Sequence, residues 1–114
     1  MTFEEALSIV EGEFETRYTA PHGRAIRTHL TYDGFNGLSV ELCDNHGEAV
    51  LTDGGITKDI FFEVENEDEW RELCEAHGFE FNRWNIERKF SGISDVYDYI
   101  DFLLLVCDKY DPLD

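Results

Sequence analysis

The chain has 114 residues, 42% of them hydrophobic and 14% aromatic, and sets 26 Asp plus Glu against 9 Lys plus Arg, a formal charge of −17. That much apolar material excludes a disordered acidic tail and suits one packed domain, residues 1–114, while the charge argues against direct binding to nucleic acid or to anionic membranes. Cys43, Cys74 and Cys107 are odd in number and widely spaced, which argues against a disulfide framework and points to reduced core thiols in a cytoplasmic protein.

The start, Met1-Thr2-Phe3-Glu4-Glu5, has neither the basic nor the apolar segment of a secretory signal. The longest apolar run, Phe102 to Cys107, falls far short of the roughly 20 residues that span a bilayer. Thr2 to Phe14 reads as a helix: Phe3, Ala6, Leu7, Val10 and Phe14 share one stripe, Thr2 and Glu5 have capping-box spacing, and Glu4, Glu11 and Glu15 share another face. Four strands are expected next: Glu15 to Ala20, Arg24 to Tyr32, Leu38 to Cys43 and Glu48 to Thr52. Their short links (Pro21-His22-Gly23, Asp33-Gly34 with Asn36-Gly37, and Asp44-Asn45-His46-Gly47) make neighbours antiparallel.

Ile56 to Val64 is ambiguous, with one or two helical turns as one reading. Asn66 is suited to cap a helix whose stripe is Trp70, Leu73, Cys74 and His77 and which Gly78 ends. Phe79 to Phe81 and Trp84 to Phe90 form a second small hairpin. Ser94 is placed to cap a last helix to about Lys109, with Val96, Tyr99, Ile100, Leu103, Val106, Cys107 and Tyr110 inward. The order α-β-β-β-β-α-β-β-α is α+β: an antiparallel sheet of about four strands plus a small hairpin, with three amphipathic helices on one face.

Leu51-Thr52-Asp53-Gly54-Gly55 resembles the Leu-Thr-Asp-Asp-Gly signature of a small bacterial and phage domain family with no established activity. The resemblance runs from about Phe35 to Lys109 and implies a bacterial or mobile-element source; Gly54 stands where the family has its second Asp. From the residues alone, Asp53-Gly54-Gly55 reads as a turn, with the carboxylate accepting amides two and three residues on.

Catalytic patterns are thin. Glu87-Arg88-Lys89 with Asp53 matches a loose Asp…Glu-x-Lys metal-nuclease pattern, but the triplet reads more simply as an exposed strand of alternating charge. Cys74 and His77 form a pair at zinc-ligand spacing, on a stripe better explained as core. No nucleophile elbow and no phosphate loop is present, and no cofactor or metal is expected.

The acids carry the functional reading. Asp95, Asp98, Asp101 and Asp108 fall within a helical sector of roughly 140°. Glu65, Glu67, Asp68, Glu69, Glu72 and Glu75 gather beside the Trp70 stripe, and Glu4, Glu11 and Glu15 add a third face. Rows of carboxylates about 5–6 Å apart approach the phosphate spacing of a nucleic-acid strand. The expected function is a non-enzymatic inhibitor that occupies the basic surface of a nucleic-acid-handling protein such as a nuclease effector complex, of the phage anti-CRISPR or anti-restriction type. Asp95, Asp98, Asp101, Glu67, Asp68, Glu72 and Glu75 are the expected contacts. The alternatives are an immunity protein or antitoxin against a basic toxin, and a metal-dependent enzyme centred on Asp53. A solvated acidic surface kept for solubility is the plainer account of any one helix.

Overall fold

A computed structural model describes residues 1–19, 23–27, 40–53, 67–82 and 85–109. In chain order the elements are α1 (Phe3–Glu11), β1 (Thr16–Thr19), β2 (Gly23–Ile26), β3 (Val40–Asn45), β4 (Glu48–Thr52), α2 (Glu67–Ala76), β5 (Glu80–Asn82), β6 (Asn85–Lys89) and α3 (Ser94–Lys109). The class is α+β in the expected order. The expected link residues 20–22 and 33–37, strand residues 28–32, Leu38, the segment Ile56 to Val64, the cap Asn66 and Tyr110 lie outside the described residues, as do the side chains of Cys107 and Asp108.

The strand count differs from expectation. The six strands among the described residues form one antiparallel sheet, ordered β1-β2-β3-β4-β6-β5, rather than about four with a separate hairpin. β6 pairs with β4 through Val50↔Lys89, Leu51↔Arg88 and Thr52↔Glu87. A two-stranded hairpin is marginal by itself, and docking on β4 satisfies the open edges of both.

Partners opposite one another in an antiparallel pair share a face. One face carries Ile26, Val40, Leu42, Ala49, Leu51, Phe81 and Ile86. All of them join one core cluster with Ala6 and Val10 of α1, Trp70 and Cys74 of α2, and Val96, Tyr99, Phe102, Leu103 and Val106 of α3. Ala25, Glu41, Cys43, Val50 and Glu87, on the opposite face, are outside that cluster. The helices therefore cover one side of the sheet. Among the described residues no helix is long and apolar enough to cross a membrane.

Local chemistry sets the element ends. Thr2 caps α1, its Oγ1 accepting the Glu5 amide at 3.2 Å while donating to the Glu5 carboxylate at 2.9 Å. The helix stops at Glu11, short of Phe14, because Gly12 is its C-cap. Phe14 turns back onto the core, and the carbonyl of Glu15 accepts the Arg27 amide at 2.9 Å. His46 and Gly47, at φ 54° and 91°, form the two-residue turn between β3 and β4, and Asp44 Oδ1 accepts the Gly47 amide at 2.7 Å.

α2 ends in a Schellman motif. The Phe79 amide donates to the Cys74 carbonyl at 2.9 Å and the Gly78 amide to the Glu75 carbonyl at 3.2 Å, with Gly78 at φ 81°. A Cβ at Gly78 meets no neighbour, so the cost of adding one is conformational. Gly78→Ala is expected to lower stability by about 1 kcal/mol, read as a lower urea midpoint with unchanged slope.

Candidate functional site

The α2 acids are on the surface. Glu67, Asp68 and Glu69 fill the first turn, where the helix dipole favours them, and Glu72 and Glu75 are exposed farther along. The last turn has no basic residue, so Glu75 opposes the negative end of the dipole. Arg71 pairs with Glu67 at 3.0 Å and lies 5.2 Å from the centre of the Phe81 ring. Glu75→Gln is therefore expected to stabilise the fold by about 0.3–1 kcal/mol in thermal or urea unfolding, more at low than at high salt. On α1, Glu4 and Glu11 are exposed, and Glu11 accepts the Thr16 hydroxyl at 2.9 Å. Glu15 has left the helix and pairs with Arg27 at 3.1 Å, so the first helix does not present the three-acid face expected of it.

α3 divides its acids. Asp95 is 3% exposed and does not belong to a solvent-facing row. One carboxylate oxygen pairs with Arg88 Nε at 3.0 Å. The other accepts the Ser91 amide at 2.6 Å, the Ser91 hydroxyl at 2.9 Å and the Gly92 amide at 3.1 Å. It is Asp95, rather than Ser94, that organises the start of the helix. Asp98 is exposed and meets Arg88 Nη2 at 3.4 Å; Asp101 is exposed. Arg88 also departs from expectation: it is half-buried on the helix-facing side, opposite Leu51, while Lys89 is exposed and Glu87 half-buried. β6 lies between β4 and β5, so alternate side chains must turn toward the core.

Arg88, Asp98 and Asp101 border a groove of about 380 Å³ between the end of α2 and α3, lined also by His77, Phe79, Phe102 and Leu105. Its base is aromatic. Phe79 stacks on Phe102 at 4.6 Å, His77 meets Phe102 at 5.5 Å, and the Arg88 guanidinium sits 5.2 Å from the Phe79 ring centre. Residues 98, 101, 102 and 105 follow helical spacing and form one wall. Nothing local in the sequence joins them to Arg88; β6 does so only once it has docked on β4.

Asp53 is placed by tertiary structure. It is 2% exposed, and its Oδ1 accepts the amide of Ile86, 33 residues away, at 3.0 Å. The Tyr99 hydroxyl donates to the Ile86 carbonyl, so the same residue of β6 is held from both sides. The amides two and three residues beyond Asp53 lie outside the described residues. Asp53 reaches Ile86 on the core face, whereas Glu87 opposes Thr52 on the other, so the loose Asp…Glu-x-Lys set does not converge. Among the described residues no three His, Cys, Asp or Glu side chains gather as metal ligands.

The two described thiols are held in their protonated form. Burial, followed by the charges of Asp53 and Glu75, pushes Cys74 from its ordinary 9.0 up to about 12. Burial, then Glu41 and Glu87, pushes Cys43 up to about 11. Burial and the Asp53 charge raise Tyr99 well above its ordinary 10.0. An acid with a raised folded pKa retains protons that the unfolded chain releases, so stability is lost as pH climbs from the unfolded value toward the folded one. The urea midpoint is accordingly expected to fall as pH rises from 9.0 toward about 12, the window set by Cys74. Chemical denaturation at a series of alkaline pH values checks this.

Comparison of the chain with protein-family models, with curated proteins and with solved structures found no match.

Proposed function

We propose that this protein is a non-enzymatic acidic inhibitor that occupies the basic nucleic-acid-binding surface of another protein, of the phage anti-CRISPR or anti-restriction kind. The observation that carries the reading is the exposed carboxylates of α2, Glu67, Asp68, Glu69, Glu72 and Glu75, together with Asp98 and Asp101, exposed on α3. Glu72 and Glu75 repel each other at neighbouring helical positions, and Glu75 also opposes the helix dipole, so the acids toward the end of α2 are kept at a cost to the fold. A partner groove built for phosphates supplies the compensating charge, speeds encounter and releases the acids from mutual repulsion. The Leu51-Thr52-Asp53-Gly54-Gly55 resemblance supports a bacterial or phage setting. Asp95 is left out of the contact set, because its charge is consumed inside the fold.

The test is capture of partners from a bacterial lysate at low ionic strength and again near 1 M salt, where the screening length is about 3 Å. Competition with nucleic acid for the purified partner follows. A nucleic-acid-handling protein that is released by salt and displaced from its nucleic acid is the expected outcome. Glu72→Lys combined with Glu75→Lys should weaken that complex about tenfold or more, roughly 1.4 kcal/mol. Salt-independent capture, or binding that leaves nucleic acid in place, overturns the reading. Recovery of a basic toxin would make the chain an antitoxin instead.

A further inference from the structure

We infer that the groove between α2 and α3 receives an arginine side chain of the basic partner, with its guanidinium between Asp98 and Asp101 and its stem along Phe102 and Leu105. This rests on the proposed function and names the group which that surface recognises. Three observations carry it. The groove, at about 380 Å³, has room for one long side chain and opens beside exposed acids. Its wall already holds one guanidinium in the same manner: Arg88 lies over the Phe79 ring and meets the carboxylates of Asp95 and Asp98. Among the described residues Arg88 is the one Lys or Arg lining the groove, where Asp98 and Asp101 both stand, and it lies closer to the buried Asp95 than to Asp98.

Arginine fits this chemistry better than lysine. A planar, weakly hydrated guanidinium stacks on aromatic rings and bridges carboxylates through its fork, whereas an ammonium is a strongly hydrated point charge. Asp98 and Asp101 are three residues apart on α3, about 5–6 Å, a span one guanidinium can bridge.

The test compares hexa-arginine with hexa-lysine, which carry equal charge, by calorimetry and by NMR shift mapping on the intact protein. Both peptides should bind with salt sensitivity. Hexa-arginine should bind at least about fivefold tighter and shift the signals of His77, Phe79, Phe102 and Leu105. Asp98→Asn with Asp101→Asn should abolish the preference. Glu72→Gln with Glu75→Gln should weaken both peptides alike and leave the preference intact. Equal affinities, or a preference that survives the Asp98 and Asp101 changes, overturn this assignment. Such a failure leaves the wider reading standing if salt-sensitive partner capture persists. Loss of capture with the arginine preference retained fails the wider reading alone.

Discussion

Asp95→Ala is expected to destabilise the protein by about 3–5 kcal/mol, the largest effect of any single acidic substitution among the described residues. Its carboxylate is buried and has four partners: Arg88 Nε, the Ser91 amide and hydroxyl, and the Gly92 amide. Truncation leaves the half-buried Arg88 with only the longer contact to Asp98, and strips the loop before α3 of its acceptor. With typical domain stability at about 5–15 kcal/mol, such a variant can sit near its unfolding transition at room temperature. Asp95→Asn retains an acceptor for the loop while removing the charge, and should cost about half as much. Urea unfolding of both variants, with Arg88→Ala and the double variant, gives the coupling energy between Asp95 and Arg88. A loss below about 1 kcal/mol for Asp95→Ala would mean that the carboxylate contributes no more than an exposed one. The consequence for function is direct: charge reversal at Asp95 tests folding, and only Asp98, Asp101 and the α2 acids test binding.

Asp53→Ala is expected to cost about 2–3 kcal/mol, because it leaves the Ile86 amide without its acceptor inside the core. The charge of Asp53 also bears on Tyr99 and Cys74, helping to raise both. The variant should therefore lose stability at neutral pH yet show a shallower decline above pH 9.0, the ordinary thiol value. Chemical denaturation at neutral and alkaline pH checks both halves. Asp53→Asn, which keeps an acceptor, should recover most of the neutral-pH loss. If Asp53 were only a local turn residue, neither the alkaline behaviour nor the protection of the Ile86 amide from hydrogen exchange would respond to its removal.

Much of the fold is legible locally. Thr2 and Glu5 announce the start of α1, His46-Gly47 the turn between β3 and β4, and Gly78 the end of α2, because each acts on backbone groups within a few residues. The core stripes Ala6–Val10, Trp70–Cys74 and Val96–Tyr99–Leu103–Val106 follow from helical period alone, and all of these residues are buried. The errors arise where a residue's partner is distant in sequence. Counting β5 and β6 as a separate hairpin misses their docking on β4, since edge pairing leaves no local mark. Reading Glu87-Arg88-Lys89 as an exposed strand misses Arg88, whose face is set by that same pairing. Placing Asp95 with Asp98 and Asp101 treats helical angle as exposure, but the first turn of α3 lies against β6, and a carboxylate there is buried.

The sequence by itself determined the class, the order of elements, the apolar stripes except for His77, which is exposed, and the concentration of acids on the helices, because propensity, period and turn chemistry are short-range. Only the tertiary structure decided which acids stay exposed on the surface. It joined the six strands, turned Arg88 inward, bound Asp95 to it and tied Asp53 to Ile86. A charge is withdrawn or left on the surface by what the fold brings against it, and those neighbours come from strands and helices far apart along the chain.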